Sequence, residues 1–556
     1  MKKSAWLLIS LMLVLSMFLA ACSGGQKTNE PAKETEKEET PAAEGTANDE
    51  PQVGGDLIIG STGSPTMFNP LFSNDASSSD IETMLYDSLM GSDLEFNPVT
   101  DGGLAEKYEA SEDGLTFTIK IVENAKFHDG EPLDADDVVF TYNIPLSPDY
   151  DGVRKSYFEN IDKVEKIDQY TVKFTLKQVD AQFPVVSLGF GILPEHILGD
   201  VPIADMGEHE FNTKTPIGSG PFKFEEWKDG EYVKVVANED YWDGRPNLDS
   251  VTYKIVPDAN AILAQLQAGD IHYYAGIAQP DVPTVESFAD AANLRLESGL
   301  ALSYTFLGFN QRDPKFQDKS VRQAITHAID RTAIVENVMA GLGEVAHVPE
   351  SPLSWAYNPD VPKFEYDVEK AKKMLADAGW KPGADGILEK DGEKFSVEVK
   401  TNQGNKVRED IVVILQQQLK EVGIEIIPQI VEFSALIADI DPGVWNFEGI
   451  VLGWSLGIDP DPSGIFHTKE IEKGLNFTGY SNPELDKLMD EQLQELDKEK
   501  RKEMIGKIQQ GLAEDQAYTF LYYPEEFRAL PKNLEGYEFH AKDQMYHIKD
   551  WWLKTE

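Results

Sequence analysis

Between residues 115 and 122, Leu115, Phe117, Ile119 and Ile121 alternate with polar positions, the period of a half-buried β-strand. Residues 164–177 read as a strand pair of the same kind, and residues 56–60 as a further short strand. This region is poor in helical periods and reads as a β-rich insert. The pattern then changes. Residues 251–256 are strand-like, 259–268 have helical spacing ended by Gly269, and 271–274 are strand-like again, a β-α-β unit. A second unit follows at 395–401, 407–422 and 424–431. Two helices are expected between them. Val321, Ala324, Ile325, Ala328 and Ile329 form one face of the first, which stops before Gly341. Asp367 caps the second, with Ala371, Met374, Leu375 and Ala378 inward and Gly379 as its stop. The chain is therefore α/β with two separate lobes. No tandem repeat marks it as a solenoid or propeller. Two facing α/β lobes make a cleft that closes on a ligand by hinge motion.

The N-terminus has a different character. Lys2 and Lys3 precede an apolar run, residues 5–21, broken only by Ser10 and Ser16. The run is shorter than the roughly 20 residues of a spanning helix and ends in Leu19-Ala20-Ala21-Cys22, a signal-peptide pattern. It resembles a bacterial lipobox, which implies cleavage before Cys22 and lipidation of its thiol. Residues 22–53 contain no aromatic residue and read as a flexible acidic tether. The body is expected on the extracellular face of the cell membrane, held by lipid.

Fifty basic residues stand against 97 acidic ones, a formal net charge of −47, which argues against a nucleic-acid partner. The tether holds three lysines and eight acids, so the excess belongs to the body. A single cysteine excludes an intramolecular disulfide and a cysteine-based metal centre. Gly453-Trp454-Ser455-Leu456-Gly457 matches the G-x-S-x-G elbow, but Pro460 and Pro462 stand where a helix must follow. Asp459, Asp461, Ser463, Gly464 and Glu470 mimic a calcium loop, but they follow a strand, and prolines interrupt them. His128, beside Asp129-Gly130, reads as a turn residue. Gly218-Ser219-Gly220-Pro221 lacks the ending of a phosphate loop. No catalytic site, cofactor or metal is expected. Trp454, Phe433, Tyr304, Tyr480, Tyr522 and Tyr523 are candidates for the walls of a binding pocket.

Several blocks then carry a resemblance. Leu104 to Tyr108, Ser111 to Phe117 and Lys126 to Val139 are similar to the signature of the family 5 (peptide/nickel) solute-binding proteins of ABC importers. Gly218 to Phe224, Asn238 to Gly244, Pro257 to Gly269, Val321 to Arg331, Tyr366 to Gly379 and Gly453-Trp454 agree in order. Residues 343–355 and 400–410 most resemble the App-type oligopeptide-binding lipoproteins of Gram-positive bacilli.

The resemblance implies a two-lobed periplasmic-binding-protein-like fold of class II, the large peptide-binding type, with an extra β-rich subdomain. The expected division is 1–21 signal peptide and 22–53 tether. Residues 54–91, 213–300 and 516–556 form lobe I, 92–212 its insert and 301–515 lobe II. The implied function is that of a monomeric oligopeptide-binding lipoprotein that delivers extended peptides to an ABC transporter permease. A receptor for a nickel chelate or an oligosaccharide is the alternative on the same fold. The implied peptide-contacting residues are Ser73, Asn74, Asp75 and Ala76 on one side. On the other are Gly453, Trp454 and Ser455, with Tyr304, Gln403, Phe433 and Tyr523. The family's amine-binding Asp, three residues after the Trp, is Gly457 here, which leaves Asp459 or Asp461 as substitutes. Its carboxylate-binding Arg, three before the Trp, is Val451. Loss of both anchors favours longer peptides held through their backbone. The surface acidity fits either an alkaline or saline habitat or a bias toward basic peptides.

Overall fold

The computed structural model describes residues 50–555. Cys22, the signal segment and nearly all of the tether lie outside the described residues.

The alternation at 115–122 becomes the strand Thr116–Ile121, whose residues are buried at every second position. It pairs antiparallel with Ala105–Ala110 and Thr171–Leu176, and Ile161–Asp168 completes a four-stranded sheet. Helix Ala135–Leu146 covers it. Asp134 starts that helix with a capping box, accepting from the Asp136 amide while Asp137 accepts from Asp134.

A second four-stranded sheet has the order Asp56–Ser61, Ser250–Ile255, Tyr232–Ala237, Phe222–Lys228, with only the first pair parallel. Helix Ala259–Ala268 matches its expected bounds. Asp258 caps its start, and Gly269 ends it at φ +81°, a left-handed turn that only glycine enters without strain. The strand after it begins at Tyr274, later than the spacing predicts, and pairs into a different sheet. The parallel bridge Ile59–Tyr273 links the two sheets.

That other sheet has eight strands. Its path is Tyr274–Ile277, Thr519–Pro531, Ser303–Phe309, Gly449–Ser455, Ser396–Asn402, Glu425–Val431. The second expected β-α-β unit is present, Ser396–Asn402 running parallel to Glu425–Val431 across helix Lys406–Glu421. The thirteen-residue strand Thr519–Pro531 serves both halves. Its first part registers with Ser303–Phe309 and its last seven residues with Leu294–Leu300.

One expected helix is two. Lys319–His327 stops, and Arg331–Val338 begins anew. The Asp330 carboxylate accepts from the Ala333 amide and caps the second helix, while the Asp367 amide takes the His327 carbonyl at 2.7 Å. Arg322 and Arg331, from the block 321–331, are buried and donate to backbone carbonyls of Asp515, Phe316, Ala346 and Phe520. That block is a brace between loops. Tyr241 and Trp242 likewise both donate to the buried Asp87 carboxylate, at 2.7 and 3.1 Å.

Candidate ligand-binding site

The strand Gly449–Ser455 pairs along its whole length with Ser303–Phe309. On its other side Ser396–Asn402 meets it only at Gly449 and Ile450. The Thr401 hydroxyl then donates to the Val451 carbonyl at 3.0 Å, and that neighbour departs. Its chain turns at Gly404, φ +89°, into helix Lys406–Glu421, which Asn405 caps. The Leu456 amide donates to Leu302, and the Asn310 amide to Glu448. In an antiparallel ladder bonded pairs alternate, so residues 452 and 454 bond to the partner strand while 451, 453 and 455 face away from it. Gly453 and Ser455 therefore present their backbone N–H and C=O on an uncovered edge.

Side chains alternate as well. Trp454 projects to the face opposite Gly453 and Ser455 and stacks on Phe306 at 6.4 Å and 11°. Tyr304 opposes Trp454 in register, is 1% exposed, and its hydroxyl has no hydrogen-bond partner among the described residues.

Two cavities flank this strand end. The smaller, about 400 Å³, is lined by Tyr304, Arg408, Gly453, Trp454, Ser455 and Tyr522. The larger, about 980 Å³, is lined by Glu82, Arg154, Gln182, Gly457, Asp459 and Asp461, among others. The two candidate amine-binding acids differ sharply. Asp459 receives a bidentate pair from Arg501, both bonds 2.7 Å, and Gln182 Nε2 at 2.9 Å. Asp461 accepts from the Ser463 amide at 3.1 Å and from Gln492 Nε2 at 2.7 Å. Among the described residues no basic side chain hydrogen-bonds to it. Burial, reinforced by the charge of Asp459, pushes its pKa up to about 6. Gly457 is exposed, and a Cβ placed there would meet nothing closer than 3.8 Å.

Ser73 lines neither cavity; it is buried and bonds to Glu82 and Arg154, which line the larger one. Its amide donates to the Asn69 carbonyl, its carbonyl accepts from Arg154 Nε at 3.1 Å, and its hydroxyl donates to Glu82 at 2.9 Å. Burial pushes Glu82 up to about 8. Asp75 caps helix Ala76–Leu85, and Asn74 and Ala76 are exposed beside it. This loop is a helix start with the Ser73 backbone already bonded, not a free strand edge.

The remaining candidates sit apart from the cavities. Gln403 is exposed and donates its amide to Val431. Phe433 begins helix Phe433–Ile440 and is 50% exposed. Tyr523 is fully buried, its hydroxyl donating to the Val348 carbonyl at 2.8 Å, so it braces the floor behind Tyr304. His128 clamps a turn, accepting from the Gly218 amide and lying 3.1 Å from the Gly220 carbonyl, and burial pulls its pKa down to about 4. Sequence reasoning missed Arg408, Arg154 and Gln182 as site residues. Only Arg408 gave any signal, as a member of the block 400–410.

Comparison with known proteins follows the same outline. The model of bacterial extracellular solute-binding proteins, family 5 Middle, matches residues 100–473. The oligopeptide-binding protein AppA of Bacillus subtilis is 51% identical over 556 residues, covering 99% of each chain. The structure of that protein in complex with a nonapeptide superposes with a TM-score of 0.73 at 53% identity, over 91% of this chain and all of the other. NikZ of Campylobacter jejuni, in complex with Ni(L-His), superposes at 0.73 and 26% identity, over 89% of this chain and 99% of the other.

Proposed function

The chain belongs to family 5 of the bacterial extracellular solute-binding proteins, and from that premise we propose that it captures oligopeptides for an ABC importer. As a solute-binding protein it is a transport receptor and not an enzyme. The observation that carries the ligand class is the uncovered edge at Gly453 and Ser455. An extended peptide that adds a strand there gains main-chain hydrogen bonds whatever its side chains. The relationship to AppA, whose structure holds a nonapeptide, supports a ligand of that chemistry and size. A nickel chelate offers no strand to pair with this edge.

Asp461 supplies the counter-charge for the peptide α-amine. Asp459 is already neutralised by Arg501, whereas an ammonium at Asp461 offsets the desolvation that raises its pKa. Delivery is to a permease. Attachment is through a lipid on Cys22, supported by Leu19-Ala20-Ala21-Cys22 after a basic start and an apolar run. The receptor is taken to act as a monomer.

Calorimetry of full-length protein in detergent with scrambled nonapeptides tests the ligand class. Several unrelated sequences are expected to bind within about tenfold of one another. A single backbone N-methyl group on the peptide residue paired with Gly453 or Ser455 is expected to weaken binding by about tenfold. Tolerance of N-methylation at every position would falsify backbone pairing.

A further inference from the structure

We infer that Arg408 is a carboxylate-binding residue of the groove, receiving an acidic group from the ligand residue that lies against Gly453. The inference rests on reading the Gly453–Ser455 edge as the peptide-pairing edge.

Arg408 is an arginine without an acid. Among the described residues the guanidinium makes one hydrogen bond, from Nη1 to the Asn402 side-chain oxygen at 3.0 Å, which leaves most of its five donors available. The acids beside it on the same helix turn are used elsewhere. Glu409 accepts from the Gly404 amide, and Asp410 pairs with Lys406. Burial pulls the Arg408 pKa down. A desolvated cation in this state costs stability until an anion joins it.

The guanidinium also lies where a ligand side chain would arrive. A Cβ built on Gly453 would fall 2.7 Å from Arg408 Nη2 and 3.1 Å from the Tyr304 carbonyl oxygen. The charge therefore sits over the Gly453 Cα, on the face away from Trp454. Residues directly opposite on paired strands project to the same face, their Cβ atoms about 4.5–5.5 Å apart. The ligand residue opposite Gly453 thus directs its side chain toward Arg408. A carboxylate reaches it from an Asp or Glu at that position, or from the C-terminus of a peptide that ends there. Glycine at 453 leaves the guanidinium room to rest against the strand. Val451, where the family's carboxylate-binding arginine stands, is fully buried and apolar. Arg408 brings the charge back from the neighbouring helix.

The test uses full-length protein in detergent and two matched ligand series. One walks a single Glu along an otherwise uncharged nonapeptide, with Gln at the same position as its control. The other compares tripeptides with free and amidated C-termini. In the native protein one member of the series is expected to prefer the carboxylate over its amide by about tenfold or more. That ratio is expected to fall to near one in Arg408→Gln and to be partly kept in Arg408→Lys. Preference in the first series assigns an acidic side chain, and preference in the second a C-terminus. A ratio unchanged in Arg408→Gln, or lost equally in Arg408→Lys and Arg408→Gln, overturns the inference while peptide binding stands. Failure of the native protein to bind either series overturns both.

Discussion

Gln182 and Asp459 stand 277 positions apart and are joined by a 2.9 Å hydrogen bond, Gln182 Nε2 donating to Asp459 Oδ1. Two neighbouring contacts run the same way. The Ala181 amide donates to the Leu493 carbonyl at 2.8 Å, and Lys498 Nζ donates to Asn97 Oδ1 at 2.5 Å. All three tie residues Asn97, Ala181 and Gln182 to segments that follow the strand Gly449–Ser455. Gln182→Leu removes the bond with similar volume. Bound peptide is expected to leave roughly 10- to 100-fold faster, the effect of one hydrogen bond to a charged group. Stopped-flow release of a labelled nonapeptide measures this, and an unaltered off-rate shows that the contact does not retain the ligand.

The Arg501–Asp459 pair is buried on both sides, with side-chain exposures of 6% and 5%. Removing one partner strands the other without solvent. Arg501→Met is therefore expected to cost about 3–5 kcal/mol of folding stability. The double variant Arg501→Met/Asp459→Leu is expected to recover much of that loss, because no unpaired charge remains. Urea unfolding of the four proteins of this cycle measures both terms.

Asp461 makes stability and binding depend on pH in opposite senses. Its folded pKa, about 6, lies above the ordinary 3.8. The folded state therefore binds the proton more tightly than the unfolded state. The penalty for ionising it is absent below about pH 4, grows between the two values and is complete above about 6. Asp461→Asn should stabilise the unliganded protein by roughly 2–3 kcal/mol at pH 8 and by little at pH 3.5. On the proposed pairing of Asp461 with the peptide α-amine, the affinity of peptides with a free α-amine should fall as pH drops through 6, and N-acetylated peptides should show no such fall. Thermal unfolding and calorimetry across pH 4–8 check both halves.

Gly453→Val introduces a side chain where 2.7 Å separates the new Cβ from Arg408 Nη2. The guanidinium can swing away, so the fold is expected to survive, with a loss under about 2 kcal/mol. The β-branched group then occupies the face that an incoming strand must share. Nonapeptide affinity should fall by about 100-fold or more, a loss of about 2.7 kcal/mol. Retained affinity would place the peptide elsewhere.

Much of the scaffold was legible in the sequence. The alternation at Leu115, Phe117, Ile119 and Ile121, the Asp258-capped helix that ends at Gly269, and the parallel unit around helix Lys406–Glu421 are set by local periods and caps. The strand expected before Asp459 was legible too, as Gly449–Ser455. Less legible was the break at Ala328–Asp330. The apolar face runs on through it, and the Asp367 amide that takes the His327 carbonyl comes from a distant loop.

The site itself was decided by tertiary structure. Asp459 and Asp461 are equivalent acids in the sequence, two positions apart. Arg501, 42 positions further on, neutralises one and leaves the other without a basic hydrogen-bond partner. Arg408 reads as one charge in a mixed run until its neighbours prove to be bonded elsewhere. The edge at Gly453 and Ser455 is open because Ser396–Asn402 departs after Lys400. Hydrophobic period and capping are properties of adjacent residues, so the sequence by itself determined the elements. Whether a backbone amide or a charge finds a partner depends on which remote segment lies beside it, and only the folded chain decides that.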